Sequence, residues 1–174
     1  MSIKQQLVRI LLRGMKEVYM DRIISDKLYL SLLYRRVLDK KMHWDNPCTF
    51  NEKLQWLKIY NRRNEYTQMV DKIAVKKIVA EKLGEKYIIP TLGVWDDFDD
   101  IDFSILPDRF VLKCNHDSGS ICIRKNKNTF DIAEARKKMR KGLKQNLYWA
   151  GREWPYKDVK PRILAEKFME DEGG

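Results

Sequence analysis

The run Phe110-Val111-Leu112-Lys113-Cys114-Asn115-His116-Asp117-Ser118-Gly119-Ser120 sets a lysine inside an apolar stretch and follows it with a short loop of small polar residues. A charge on a half-buried strand needs a partner of opposite sign. Strand geometry puts Phe110, Leu112 and Cys114 on one face and Val111, Lys113 and Asn115 on the other. Lys113 is thus turned from the most apolar side toward whatever the Asn115–Ser120 loop surrounds. The plainer reading is a surface lysine on a half-exposed sheet. In the loop, Ser118 and Ser120 offer hydroxyls and His116 a ring nitrogen. Gly119 can take positive φ, which lets successive amides converge on one anion. Phosphate is the first ligand this pattern suggests, and an ordinary hairpin loop is the alternative.

The surrounding elements follow from periodicity and punctuation. Residues 1–20 form an amphipathic helix with Ile3, Leu7, Ile10, Leu11 and Val18 near one stripe and Lys4, Arg9, Arg13 and Lys16 off its centre. Such a helix either docks on the rest of the chain or lies on an anionic membrane surface. A second helix is expected over about 27–40. Thr49-Phe50-Asn51-Glu52 matches a capping box and opens a third, with Phe50, Leu54, Leu57 and Tyr60 along one side. A fourth covers 65–83 and stops near Gly84. Ile88-Ile89-Pro90 and Leu92–Trp95 read as a short strand and edge segment. Residues 109–115 and 120–124 read as a hairpin. Asp131 with Glu134 marks a helix start that runs to about Asn146. Residues 147–160 look irregular, and 162–169 look like a strand. Helices first, then strands mixed with a helix, indicate an α+β fold. The division expected is a helical N-terminal region, 1–64, and a nucleotide-binding region, 65–174.

Composition limits the function. The 174 residues are 44% hydrophobic, with 5 Trp, 8 Tyr and 6 Phe, enough for a packed core rather than a disordered chain. Cys48, Cys114 and Cys122 are far apart and lack metal or disulfide spacing, which suits a reducing, cytoplasmic compartment. No apolar run approaches the ~20 residues of a membrane span, and Arg9 and Arg13 interrupt any signal-peptide core. The net charge of +10 is uneven: residues 1–63 carry 14 Lys and Arg against 6 Asp and Glu, and residues 109–162 carry 15 against 5. The acidic stretch Asp96-Asp97-Phe98-Asp99-Asp100 interrupts any continuous basic track, so a nucleic acid is the less favoured anion. Nucleotide, an anionic membrane surface or an anionic glycan fits the charge as well.

Five segments in order carry a resemblance to a known family. They are Thr49-Phe50-Asn51-Glu52-Lys53-Leu54-Gln55-Trp56-Leu57-Lys58, Val70-Asp71-Lys72, Phe110 to Ser120, Gly151-Arg152-Glu153-Trp154-Pro155-Tyr156-Lys157 and Ile163-Leu164-Ala165-Glu166-Lys167. From Thr49 to Asp171 the chain resembles the TupA-like branch of the ATP-grasp superfamily. Its members are bacterial proteins associated with surface polysaccharide or teichuronopeptide biosynthesis, often named glycosyltransferases. The resemblance implies the small-sheet N-terminal lobe of an ATP-grasp fold, with ATP and Mg2+ as cofactors. It makes Lys72 and Lys113 the phosphate-reaching lysines, and His116, Ser118, Gly119 and Ser120 part of a loop that closes over the triphosphate. It makes Glu166, Lys167, Phe168 and Met169 the adenine segment, with Glu170, Asp171 or Glu172 near the ribose. Arg152 and Trp154 become contacts to an acceptor carboxylate or sugar, unless Trp154, Pro155 and Tyr156 simply close a hydrophobic corner.

The family's metal ligands and C-terminal lobe would lie downstream, so the resemblance implies an incomplete ligase in which no residue holds the metal. A site with one wall is expected to bind nucleotide weakly and to turn over nothing alone. The intact chemistry would activate a carboxylate for amide formation, with a glycan or amino-acid acceptor. Two other readings stand beside it. One is a glycosyltransferase, with Asp100-Ile101-Asp102 as an Asp-x-Asp metal site. The other is a non-catalytic remnant or interaction module. The expected location is cytoplasmic, with the basic N-terminal helix offering contact to the inner membrane surface.

Overall fold

The computed structural model describes residues 3–17 and 22–170. Along the chain run α1 (Ile3–Glu17), α2 (Asp26–Leu38), α3 (Phe50–Tyr60), α4 (Glu65–Val70), α5 (Ala74–Leu83), β1 (Thr91–Trp95), β2 (Phe110–Cys114), β3 (Ile121–Arg124), α6 (Ile132–Leu143), α7 (Leu147–Gly151) and β4 (Ile163–Lys167). The fold is α+β: helices and one small antiparallel sheet. It divides into two compact units. One takes the described residues up to Arg63 together with Tyr148–Trp154, and the other takes Asn64–Leu147 and the described residues from Pro155 on.

In the first unit each helix start has a local cause. Ser25 Oγ accepts from Leu28 N–H at 3.3 Å and opens α2. Asp39 takes a left-handed φ of 55° and donates its N–H to Arg35 O, closing the same helix. At α3 the expected capping box is complete: Thr49 Oγ1 accepts from Glu52 N–H at 3.3 Å, and Glu52 Oε2 accepts from Thr49 N–H at 2.9 Å. Glu52 Oε2 also accepts from Cys48 N–H at 3.1 Å, while Oε1 lies 2.8 Å from His43 Nδ1. The Phe50, Leu54, Leu57 and Tyr60 side of α3 is exposed. Buried Tyr29, Leu30 and Tyr34 of α2 and Leu12 of α1 form the interior. Val18, expected in the α1 stripe, lies outside the described residues.

In the second unit the strand order is β1-β4-β2-β3, every neighbouring pair antiparallel. The alternation read from the sequence is realised in β2: Phe110, Leu112 and Cys114 are fully buried, and Val111 and Lys113 half-buried. The buried face joins Ile163 and Ala165 of β4, Ala135 and Met139 of α6, and Phe98, Ile101 and Leu106 from the connecting segments. Aromatic rings knit one end of this core, with Phe110 centred 5.6 Å from Phe130 and Phe98 5.6 Å from Phe103. α6 starts where expected, with Asp131 Oδ1 accepting from Ala133 and Glu134 N–H, both at 2.9 Å.

Four expectations are corrected. The helix over 65–83 is two helices, α4 and α5, because Asp71 leaves helical geometry at ψ 112° and its Oδ1 caps Ile73 N–H at 2.8 Å. The strand expected from Ile88 begins only at Thr91. α6 ends at Leu143 rather than near Asn146. The irregular stretch 147–160 contains α7 and a 3-10 turn, Trp154–Tyr156.

The hydrogen bonds at Glu52, first that from Thr49 N–H and next that with His43, hold its carboxyl down at about 2 against an ordinary 4.5. The folded state therefore favours the ionised form. Its contribution is complete above pH 4.5 and disappears as pH falls toward 2. In thermal melts, the midpoint gap between wild type and Glu52→Gln should be open at neutral pH and close across that window. A gap independent of pH would contradict the assignment.

Candidate functional site

The site is built around the end of β2. Asn115 ties three segments together. Its Nδ2 donates to Asp71 Oδ1 at 2.9 Å and Lys160 O at 3.0 Å, and its Oδ1 accepts from Arg162 N–H at 2.7 Å. Its backbone carbonyl accepts from Lys72 N–H at 3.1 Å. The α4–α5 break, the segment before β4 and the β2–β3 loop are thereby fixed to one fully buried amide.

Lys72 sits at that break rather than on a solvent-facing helix. Its ammonium donates to the carbonyls of Cys114 at 3.1 Å and Asn115 at 3.3 Å, and also to that of Asp117. The loop thus presents carbonyl oxygens to a lysine of its own chain. The Lys72 pKa is lowered, first by burial, with Asp117 opposing and the positive charge of Lys113 reinforcing the shift. Lys72 and Lys113 therefore share one electrostatic neighbourhood. Asp117 is itself buried, and its Oδ2 has no hydrogen-bond partner among the described residues.

Within the loop, Gly119 adopts φ 116°, which only glycine takes without strain. Ser118 and Gly119 face solvent, while Ser120 is buried. His116 is buried too, with Nε2 3.0 Å from Gln145 O and Nδ1 3.3 Å from Asn115 Oδ1. Beneath the loop, burial pushes the Cys114 thiol up to about 12, which favours the neutral thiol.

Lys113 leaves the sheet on the face opposite the core and pairs with Glu166 Oε2. The second oxygen, Oε1, takes Lys76 at 2.6 Å. The register explains the meeting: Val111 stands opposite Glu166, and Lys113 opposite Leu164. Lys76 also donates to Ile89 O at 2.7 Å and Thr91 Oγ1 at 2.6 Å. Glu166 is buried, only 4% exposed. Two ammonium groups on one carboxylate leave one positive charge in excess.

Past Glu166 the chain enters an open cleft of about 590 Å³, lined by Leu92, Pro107, Arg109 and the run Lys167 to Glu170 among others. The Arg109 guanidinium lies 4.5 Å from the Phe168 ring centroid and pairs with Glu170. That pairing holds the Glu170 carboxyl below its ordinary range. Asp171 and Glu172, the other ribose candidates, lie outside the described residues.

The structure brings Lys72, Lys113, Glu166 and the 115–120 loop together, with Phe168 and Met169 just past the end of β4. Arg152 and Trp154 belong to the first unit. Arg152 is fully buried, its Nε 3.0 Å from Asp26 Oδ1 and its guanidinium 4.1 Å from the Tyr29 ring centroid. Tyr148 donates to the same Asp26 oxygen at 2.6 Å, and Arg62 lies 2.5 Å from the other. Trp154, in a 3-10 turn, is half-buried. In Asp100-Ile101-Asp102, Ile101 is buried and the Asp102 carboxylate is used locally, accepting from Ser104 N–H at 2.9 Å and Oγ at 2.6 Å. Among the described residues, no three His, Cys, Asp or Glu side chains cluster to hold a metal ion.

Sequence reasoning missed Lys76 and gave Asn115 and Asp71, though both lie in the motifs it read, no role of their own. Their partners lie 90, 44 and 44 residues away in the chain, with Lys76 meeting Glu166 and Asn115 meeting Asp71. The available signal was Asp71 itself, a helix breaker by propensity in an otherwise helical pattern.

The family model for TupA-like ATPgrasp matches residues 52–174. The chain belongs to the TupA-like ATPgrasp family. No curated protein and no solved structure matches it.

Two substitutions test the positioning. A Cβ at Gly142 of α6 would stand 2.3 Å from Ser120 Oγ and 2.8 Å from Cys114 Sγ. Gly142→Ala should therefore cost ~1–3 kcal/mol of stability in urea unfolding. Arg152→Ala should cost ~3–5 kcal/mol, because it leaves Asp26 and three aromatic rings around a hole. If Arg152 served only an acceptor, its loss would leave the unfolding midpoint unchanged.

Proposed function

We propose that the second unit is the N-terminal, small-sheet lobe of an ATP-grasp fold and handles the phosphates of ATP in a ligase that activates a carboxylate for amide formation. The observation that carries this reading is the pair Lys76 and Lys113 on the single buried carboxylate of Glu166, beside Lys72 and the Gly119 loop. Membership of the TupA-like ATPgrasp family supports it.

The residues present fit a nucleoside triphosphate. The cleft has an aromatic and a thioether wall in Phe168 and Met169, and its volume of about 590 Å³ lies in the range of small-ligand sites, ~300–1,000 Å³. The γ-phosphoryl group of the substrate ATP passes to a carboxylate oxygen with release of ADP, and an amine then displaces phosphate at the acyl carbon and gives up a proton, leaving an amide. The protein's part in that chemistry is electrostatic. Lys113, oriented by Glu166, offsets charge on the phosphoryl oxygens, and an ammonium suits this as a compact point charge on a long stem. Lys76 holds the Glu166 carboxylate in place when Lys113 turns to a phosphate. Lys72 holds the loop by its carbonyls, so that Ser118 and Gly119 stand at the solvent side over the same region. Phe168 and Met169 offer apolar surface to adenine, and Glu170 offers a carboxylate to the ribose hydroxyls. The described residues do not by themselves make a site that fits a divalent cation, as no three of their His, Cys, Asp or Glu side chains gather. A glycan or amino-acid acceptor in surface polysaccharide synthesis is the substrate class this reading favours, with the protein at work in the cytoplasm.

The test is a titration of the labelled chain with ATP, followed by amide NMR, with a uridine-diphosphate sugar in parallel. ATP should shift resonances around Lys113, Gly119 and Phe168. Lys113→Ala should weaken that binding ~10-fold or more, the loss expected for a charge-assisted contact. A response to the nucleotide sugar but not to ATP, or equal ATP affinity in Lys113→Ala, would refute the proposal.

A further inference from the structure

The α1 helix has two apolar sides, and the first unit uses only one. Leu12 is 2% exposed, and Gln5, Val8 and Met15 on the same side are half-buried. The opposite side carries Ile3, Leu7, Ile10 and Leu11, exposed by 77%, 62%, 68% and 50%. At 100° per residue these four fall within one arc, continued by Gly14, beside which an added Cβ would meet nothing. Lys4 stands at one border of the arc, and Arg9 and Arg13 lie beyond the other, all exposed. α1 carries four Lys and Arg, and its only acidic residue is Glu17 at its last position.

We propose that this outer face of α1 docks on the surface of an anionic phospholipid bilayer. The helix would lie in the interfacial plane, its aliphatic side chains among the acyl chains and its cations against the headgroups. No helix among the described residues is long and apolar enough to cross a membrane, so the contact is peripheral. The charge pattern argues against a second copy as occupant. Two such faces packed about a two-fold axis would set Lys4, Arg9 and Arg13 against the same cations, with Glu17 at the helix end as the one carboxylate of α1 to offset them. A bilayer bearing phosphatidylglycerol supplies negative charge all around the apolar arc. The inference stands on the first unit alone and does not depend on the reading of the nucleotide site.

Cosedimentation of the full chain with phosphatidylcholine vesicles, with and without phosphatidylglycerol, tests it. The protein should pellet with the anionic vesicles only, and less so as salt is raised. Ile10→Asp and Leu7→Asp should abolish pelleting while leaving the circular dichroism unchanged, because both side chains point outward. Lys4→Gln and Arg9→Gln should each lower partitioning ~fivefold and serve as the test should either aspartate variant not fold. Four results would overturn the proposal. They are no pelleting with anionic vesicles, equal pelleting with neutral ones, pelleting unaffected by any of the variants, and a dimer in light scattering that Ile10→Asp splits.

Discussion

A carboxylate buried within a four-stranded sheet must find positive charge or give up its own. Glu166 sits on β4, between β1 and β2, where water is nearly excluded. It obtains one ammonium from β2 through Lys113 and a second from α5 through Lys76. That requirement arranges much else. α5 must approach the sheet at Lys76, so the helix before it must end and turn at Asp71. The same turn delivers Lys72 to the carbonyls of the β2–β3 loop and Asp71 to Asn115. A buried pair of this kind contributes little net stability, because desolvation offsets attraction. Its consequence is geometric: it fixes which lysines face one side of the sheet, and how far apart.

Lys72 can be weighed against that background. An ammonium has three donors, and all three are directed at main-chain carbonyls. Burial weakens its hold on the proton, but Asp117 restores part of it. For Lys72 to reach a phosphate it must release at least one carbonyl, and the loop would then be free to shift. On the proposed reading, the arrangement would tie loop position to phosphate occupancy through one side chain. Lys113 differs, since its Glu166 partner remains held by Lys76 when Lys113 turns away.

Local signals were legible in the sequence, and long-range ones were not. The capping box at Thr49, the cap at Asp131, the alternation in Phe110–Cys114 and the glycine of the β2–β3 loop each depend on residues within a turn or a strand, and each appears where read. The helix break at Asp71 is stabilised by Asn115, and the burial of Arg152 by Asp26 and Tyr29. Neither partner is adjacent in sequence, so neither could be paired from periodicity. Within the site, Lys113 and the loop were legible because strand alternation exposes a misplaced charge. Lys76 was not, because on a continuous helix it is one more solvent-facing lysine.

The Gly151-Arg152-Glu153 stretch shows how a motif that looks functional can answer a packing demand. Gly151 O accepts from Lys58 of α3 at 2.9 Å, and Glu153 pairs with the same lysine at 2.8 Å. Arg152, between them, turns inward at φ 52° to reach Asp26 at the start of α2. A left-handed backbone at a non-glycine residue is unfavourable, so something must hold it there. Three aromatic faces do, with ring centroids 4.1, 4.9 and 5.1 Å from the guanidinium. A lysine would offer these rings a compact ammonium in place of the broad guanidinium. An aliphatic residue would strand the Asp26 carboxylate, which Tyr148 and Arg62 also engage. Arginine is the side chain that satisfies both the rings and the carboxylate, and this is reason enough for its presence between α2 and α3 in the first unit.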